Sequence, residues 1–292
     1  MLIVVRLYGG LGNQMFQYAA ARALSLRSRA EVKLDLTEFS IDPLRGYELG
    51  NLSVAATPAS AADLRRFGLT SRPMAWRRRR WLRLLAWPRA EPMRRQSHFH
   101  FDQRIISLRP PVYLDGYWQS ERYFADHAET LRRELVPAGP LDPANAAVAA
   151  QIDAVNAVSV HVRRGDYVSV RKTNRYHGVC SPEYYRRAIA HVRARIAAPH
   201  LFVFSDDPYW CRNNLQLDAP MTIVDANAPD RGHRDMQLMA RCRHHVIANS
   251  SFSWWGAWLN AAPDKIVVAP RRWFNTSRND TRDLTPAAWV RM

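Results

Sequence analysis

Between residues 157 and 268 the chain alternates five short apolar runs with segments of helical period, and this alternation restricts its fold more than any other feature. The runs at 157–162, 201–204, 221–224, 245–248 and 265–268 read as strands. The segments 182–196, 208–215, 234–242 and 254–261 read as the helices between them. Strands that alternate with helices in this way form a parallel sheet covered on both faces. Ligands of such sheets lie at the carboxyl ends of the strands. The polar clusters HVRRGDY, FSDD and ANSSFS all fall at those ends.

The amino-terminal part starts a second unit of the same kind. Residues 2–7 read as a buried strand that runs into Gly9, Gly10 and Gly12, after which Met15, Phe16, Ala19, Ala20, Ala23 and Leu24 recur at helical spacing. A strand at 31–36 completes a βαβ unit. A further strand is expected at 112–118 and a helix over 121–135. The stretch 137–143, with one glycine and three prolines, reads as a linker. The expected division is therefore an amino-terminal α/β domain over 1–140 and a Rossmann-like domain over 141–292, the second holding the doubly wound sheet.

Charge narrows the partners. The chain carries 42 lysines and arginines against 26 acidic residues, a net +16, and its only lysines are Lys33, Lys172 and Lys265. An anionic partner is expected, whether nucleic acid, an acidic membrane surface or a phosphorylated small molecule. Much of the excess sits in residues 65–109, with 13 arginines against Glu91 and Asp102. Within it, residues 76–87, WRRRRWLRLLAW, read as an amphipathic helix ended by Pro88. Its interleaved tryptophans and arginines suit peripheral contact with an anionic membrane, and a solvated basic surface helix fits equally. No signal peptide and no span of roughly 20 apolar residues is seen. Cys180, Cys211 and Cys242 match no metal-binding spacing, so free thiols in a reducing compartment are expected. The expected location is cytoplasmic, with possible placement at the inner face of the membrane.

The chemistry sits in the strand-end clusters. His161, Arg163 and Arg164 lie where an apolar strand turns polar, and adjacent guanidinium groups suit a diphosphate. One arginine paired with Asp166 would merely lock the loop; two with a histidine point to a ligand. Asp206 can accept hydrogen bonds from guanine, while Ser205, Asp206 or Asp207 before Pro208 can also cap a helix, one role per carboxylate. Asn249, Ser250 and Ser251 precede a helix start that forms an anion site, with simple capping as the alternative. Trp254, Trp255 and Trp258 are expected to pack that helix against the sheet. The loop at Gly9 departs from the G-x-G-x-x-G fingerprint, yet places Asn13 and Gln14 near the end of the first strand.

GGLGNQMFQYAAARAL, HVRRGDYV, FSDDPYWC and ANSSFSWWGAWLN, in this order between residues 9 and 260, resemble the successive motifs of the α1,2-fucosyltransferases of glycosyltransferase family 11. The resemblance implies an inverting, metal-independent enzyme of GT-B type that needs no cofactor. Its donor, GDP-fucose, would bind the carboxyl-terminal domain, and a galactose-containing glycan acceptor would bind largely the amino-terminal one. By similarity to related core α1,6- and protein O-fucosyltransferases, His161 contacts the nucleotide, Arg163 the β-phosphate, Asp206 the guanine, and Ser250 and Ser251 the phosphates or ribose. Phe252 joins this donor-binding set. Asn13 matches an asparagine near the fucose, whereas Arg164 is not matched throughout.

The reaction so implied is attack of an acceptor hydroxyl, the 2-OH of a β-galactose in a surface glycan, at the donor's C1 as the diphosphate leaves. Arginine would neutralise the leaving group, and no DxD triplet is present to hold a metal. Arg163, Asp166 and Asn13 are the expected catalytic set. Asp166 is a candidate base or else an orienter of Arg164, and His177 is a lesser candidate. Two other readings share features of the chain: an α1,6-fucosyltransferase acting on a chitin-like oligomer, and an arginine-rich nucleic-acid-binding protein. The opening and final motifs favour the α1,2 family over the first. Residues clustered at strand ends, with no nucleic-acid motif, argue against the second.

Overall fold

A computed structural model describes residues 1–70, 90–276 and 279–292. The expected helix at 76–87 lies outside the described residues. The chain divides into two compact units, 1–136 with 280–284, and 137–279 with 285–292. A short piece near the carboxyl terminus thus belongs to the first unit, which a single boundary in the chain does not provide.

In the first unit, β1 (Leu2–Arg6), β2 (Glu31–Asp35), β3 (Thr57–Pro58), β4 (Met93–Arg95) and β5 (Val112–Asp115) form a parallel sheet of order β3-β2-β1-β5-β4. β1 is central, and Leu2 to Val5 are at most 4% exposed, as a strand covered on both faces requires. The helix Leu11–Ser28 carries the chain from β1 to β2 and ends at Arg29, whose left-handed φ of 54° lets its N–H reach the Ser25 carbonyl. The register sets Arg6 opposite Asp35 and Leu114 opposite Val5, so the carboxyl ends of the three central strands bear Arg6, Asp35 and Asp115.

The second unit contains β6 (Asn156–Val162), β7 (Pro199–Ser205), β8 (Met221–Val224), β9 (His244–Val246), β10 (Val267–Ala269) and β11 (Val290–Arg291), in a parallel sheet of order β11-β10-β9-β6-β7-β8. Alternate residues of β7 feed opposite cores. Leu201 and Val203 pack with Tyr184, Tyr185, Ile189 and Val192 of the helix Pro182–Arg193. Phe202 and Phe204 pack with Ile152, Leu238 and Met239 on the other face. A sheet apolar on both faces must be covered twice, and each such fully buried side chain contributes roughly 1.5–3 kcal/mol.

Several local expectations change. The helix expected over 121–135 is broken into 3-10 turns at Glu121–Tyr123 and Ala125–His127 and a helix at Ala128–Glu134. Phe124 leaves the helical region, with φ −145° and ψ 5°, and is fully buried, so core packing of this ring overrides helical continuity. The expected linker at 137–143 runs straight into a helix, Pro143–Asp153, capped by Asp142 with Pro143 in its first turn. β3, β4 and the edge strand β11 have two or three residues each, too short for periodicity to reveal.

Candidate active site

β6 lies between β7 and β9, so the three strand-end motifs meet at one edge of the second unit. His161 pairs in register with Phe204, and Val162 with Ser205, whose hydroxyl donates to the Val162 carbonyl at 2.8 Å. Immediately beyond the strand ends, Arg163 Nη1 lies 3.0 Å from Asp206 Oδ2, and Arg163 Nη2 donates to Asp166 Oδ1. Arg164 N–H donates to Asp206 Oδ1 at 2.7 Å, and its side chain pairs with Asp207 Oδ2 at 3.1 Å. Each guanidinium also faces an aromatic ring: Arg163 lies 5.3 Å from the Tyr167 centroid, and Arg164 3.9 Å from that of Trp210. Burial works against the charge of Arg163, and Asp206 and Asp166 outweigh it, so its pKa is raised. Arg163 is thereby kept charged, and the side chains of both arginines are held by ion pairs.

His161 is 4% exposed, and its Nδ1 has no hydrogen-bond partner among the described residues. Burial, reinforced by Arg163, lowers its pKa to about 3, so the ring is neutral at working pH. Phe252 lies 5.4 Å from it, centroid to centroid. His177 stacks on Tyr167 at 4.5 Å, and its pKa falls to about 4, chiefly through burial. The helix Ser251–Leu259 starts at this edge with Ser250 at its cap position. Its first-turn N–H groups lack intrahelical acceptors, as at any helix start. Trp254, Trp255 and Trp258 are buried, in the packing role expected for them.

The structure brings His161, Arg163, Arg164, Asp166, Asp206, Ser250, Ser251 and Phe252 to one strand-end edge, and it refines several of their roles. Asp166 engages Arg163 from the first turn of the short helix Gly165–Ser169. Asp207 is the helix cap, accepting from Trp210 N–H at 3.0 Å, while both oxygens of Asp206 are turned to the two arginines. Ser250 makes no side-chain cap. Asn249 is a buried staple, its Nδ2 facing the carbonyls of His177, Gly178 and Trp273 at 3.0, 3.3 and 3.2 Å. Asn13 lies in the first unit, where its Oδ1 accepts from Gln119 Nε2 at 2.7 Å. Gln14 is fully buried and donates to the carbonyls of Gly9 and Gly46.

Sequence reasoning missed Gly165, Tyr167 and Trp210. A Cβ on Gly165 would stand 2.4 Å from Asp206 Oδ2, so a side chain there would collide with the carboxylate that holds both arginines. The signal for the two rings was present in HVRRGDY and SDDPYW, where an aromatic residue follows the charged pair within four positions. Among the described residues no group of three histidine, cysteine, aspartate or glutamate side chains is placed to hold a metal ion. The edge can bind a doubly charged anion between fixed guanidinium groups and a helix start, and a flat ring beside His161 and Phe252.

The description Glycosyl transferase family 11 is matched over residues 91–292. The chain is 35% identical over 300 residues to the Alpha-1,2-colitosyltransferase of Escherichia coli, covering 100% of this chain and 99% of the other. It is 27% identical over 271 residues to the Homo sapiens Galactoside alpha-(1,2)-fucosyltransferase 1, covering 89% of this chain and 66% of that one. Its fold matches a structure of Arabidopsis thaliana FUT1 in complex with GDP, with a TM-score of 0.51 and 11% identity, over 98% of this chain and 75% of that one. The fold class expected from the sequence, α/β of GT-B type with two Rossmann-like domains, is the fold found.

Proposed function

The chain belongs to glycosyl transferase family 11, and from that premise we propose that it transfers L-fucose with inversion from GDP-β-L-fucose to the 2-hydroxyl of a β-galactose in a surface glycan. The observation that carries this reading is the pair Arg163 and Arg164, charged and immobilised at the carboxyl end of β6 by Asp166, Asp206 and Asp207. In the proposed reaction the acceptor oxygen forms a bond to C1 as the bond from C1 to the β-phosphate oxygen breaks, and GDP leaves with the electron pair. Arg163 neutralises the charge that gathers on the β-phosphate, and it needs no reorganisation to do so. Neutral His161 and Phe252 take the nucleotide, and Ser250 and Ser251 with the helix start take phosphate or ribose oxygens. Asp206 orients the arginines, and each of its oxygens keeps a second lone pair to accept from guanine N–H groups. Asp166 is the carboxylate put forward to receive the acceptor proton, and Asn13 the contact to the transferred sugar.

The reaction is proposed to need no metal, since guanidinium groups stand where phosphate charge develops. No helix among the described residues is long and apolar enough to cross a membrane. The proposed location is the cytoplasm, with the segment 76–87 as the point of contact with anionic lipid. The colitosyltransferase relative of nearly equal length favours a second donor, the GDP-linked form of colitose.

The test is acceptor-dependent GDP release in EDTA, with both donors and a panel of galactose-terminated acceptors. Arg163→Ala is expected to lower turnover by ~10² to 10³, the usual loss for a preorganised group that stabilises developing charge. Arg163→Lys is expected to recover only part of it, since lysine lacks the planar fork. Failure of every acceptor, together with no binding of GDP by calorimetry, would overturn the assignment.

A further inference from the structure

The carboxyl edge of the first unit's sheet carries a second cluster that the donor reading leaves unused. Arg6, at the end of β1, pairs with Asp115 at the end of β5 at 3.3 Å and with Glu38 at 2.5 Å. Its guanidinium lies 5.2 Å from the centroid of Tyr8, and Tyr8 meets Tyr117 edge to face at 4.7 Å. Gln96 Oε1 fixes the loop beneath them, accepting from Tyr117 N–H at 2.7 Å and Trp118 N–H at 3.2 Å. The turn is tightly determined. A Cβ on Gly116 would lie 2.5 Å from Gln96 Cβ, and Trp118 holds a left-handed φ of 55°, a conformation rare for a bulky residue and typical of functional loops.

Two further observations point to a ligand here. Trp118 is fully buried, yet its Nε1 has no hydrogen-bond partner among the described residues. The same is true of Arg6 Nε and Gln96 Nε2. Buried donors in this state are costly and call for explanation. Second, the strand ends here carry Arg6 and Arg95 against Asp35 and Asp115, with Glu38 beside them, and this acidic balance disfavours a phosphate. What remains is a neutral ligand with many hydroxyls, its hydroxyl donors met by Glu38 and Asp115 and its apolar face by Tyr117.

We propose that Tyr8, Glu38, Gln96, Asp115 and Tyr117 form the subsite that holds the acceptor's neutral sugar ring. The assignment rests on the transferase reading above for the role of that sugar, and not for its binding. Tyr117 is 36% exposed, so its substitution tests the subsite without opening the core. The experiment measures binding of methyl β-galactoside by saturation-transfer NMR, GDP binding by calorimetry, and acceptor KM, for the wild type, Tyr117→Ala, Tyr117→Phe and Glu38→Gln. Tyr117→Ala and Glu38→Gln are expected to weaken the galactoside signal and raise acceptor KM about tenfold or more, with GDP affinity held within about twofold. Tyr117→Phe keeps the ring and is expected to stay within about threefold of the wild type. A galactoside signal that is absent in the wild type or unchanged in both substitutions would overturn the subsite, and so would loss of GDP affinity in step with it. Failure of the wild type to bind GDP, with the galactoside signal still lost on substitution, would remove the donor reading and leave the sugar site standing.

Discussion

Gly165 shows how little space separates the motif's backbone from its charges. Because a methyl group there would meet Asp206 at 2.4 Å, Gly165→Ala is expected to displace that carboxylate from Arg163 and Arg164. GDP affinity should fall about tenfold or more, with a change in melting temperature of only a few degrees. Calorimetry and thermal melting separate the two effects. His161 carries a pH signature of its own. Its native pKa of about 3 lies below the 6.5 of the unfolded chain, and His177 behaves likewise at about 4. Between about pH 6.5 and 4 the unfolded state binds more protons, so stability falls as pH falls, by up to about 1.4 kcal/mol per pH unit for each histidine. Asp235, raised to about 6 chiefly by burial, acts oppositely between about 4 and 6, because there the native state keeps the extra proton. Urea midpoints are expected to drop from pH 7 to pH 5, and His161→Asn to make that drop smaller. An unchanged slope in the variant would show that His161 titrates normally in the native protein.

At the scale of elements, the strand-end clusters are held in place by side chains that never touch a ligand. Asn249 ties the end of β9 to the loops at 177–178 and 273 through three carbonyls. Asn249→Ala leaves these buried acceptors unmet, and a loss of about 1–3 kcal/mol in unfolding free energy is expected, read from denaturant titration. Tyr185 acts similarly, its hydroxyl donating to the His161 carbonyl at 3.1 Å. Much of this level was legible in the sequence. The apolar run ending in HVRRGDY marked the end of β6, and Pro208 and the tryptophan run marked the two helices that follow. The helices at Gly165–Ser169 and Arg171–His177 and the break at Phe124 were not legible. The two helices are only five and seven residues long, too short for a periodic signature. The break is set by the burial of one aromatic ring, which local propensity does not report.

For the whole molecule, two compact units with separate sheets mean that a ligand's effect is not spread evenly. GDP at saturation, about 100 times its dissociation constant, should add about 2.7 kcal/mol of stability. Hydrogen-exchange protection is expected to concentrate at 161–167, 205–210 and 249–254. Protection greatest along β1, β2 and β5 would place the nucleotide in the first unit and contradict the donor site. The divided first unit, with 280–284 returning to it, was not legible. That return rests on contacts between distant residues, such as Arg122 with Asp283 at 2.9 Å.

The sequence by itself determined the longer strands and helices, that the sheet of the second unit is parallel and doubly covered, and which polar residues stand at its strand ends. These follow from hydrophobic periodicity, a property that neighbouring residues carry between them. Only the tertiary structure decided that β6 runs between β7 and β9, and with it which carboxylate serves which arginine. Asp206 reaches Arg163 and the Arg164 backbone across more than 40 residues of chain, while Asp166 pairs with Arg163 from the helix just beyond it. Ion pairs of that kind depend on strand order and on the space left by a glycine. Both arise from packing across the sheet and have no periodic trace along the chain.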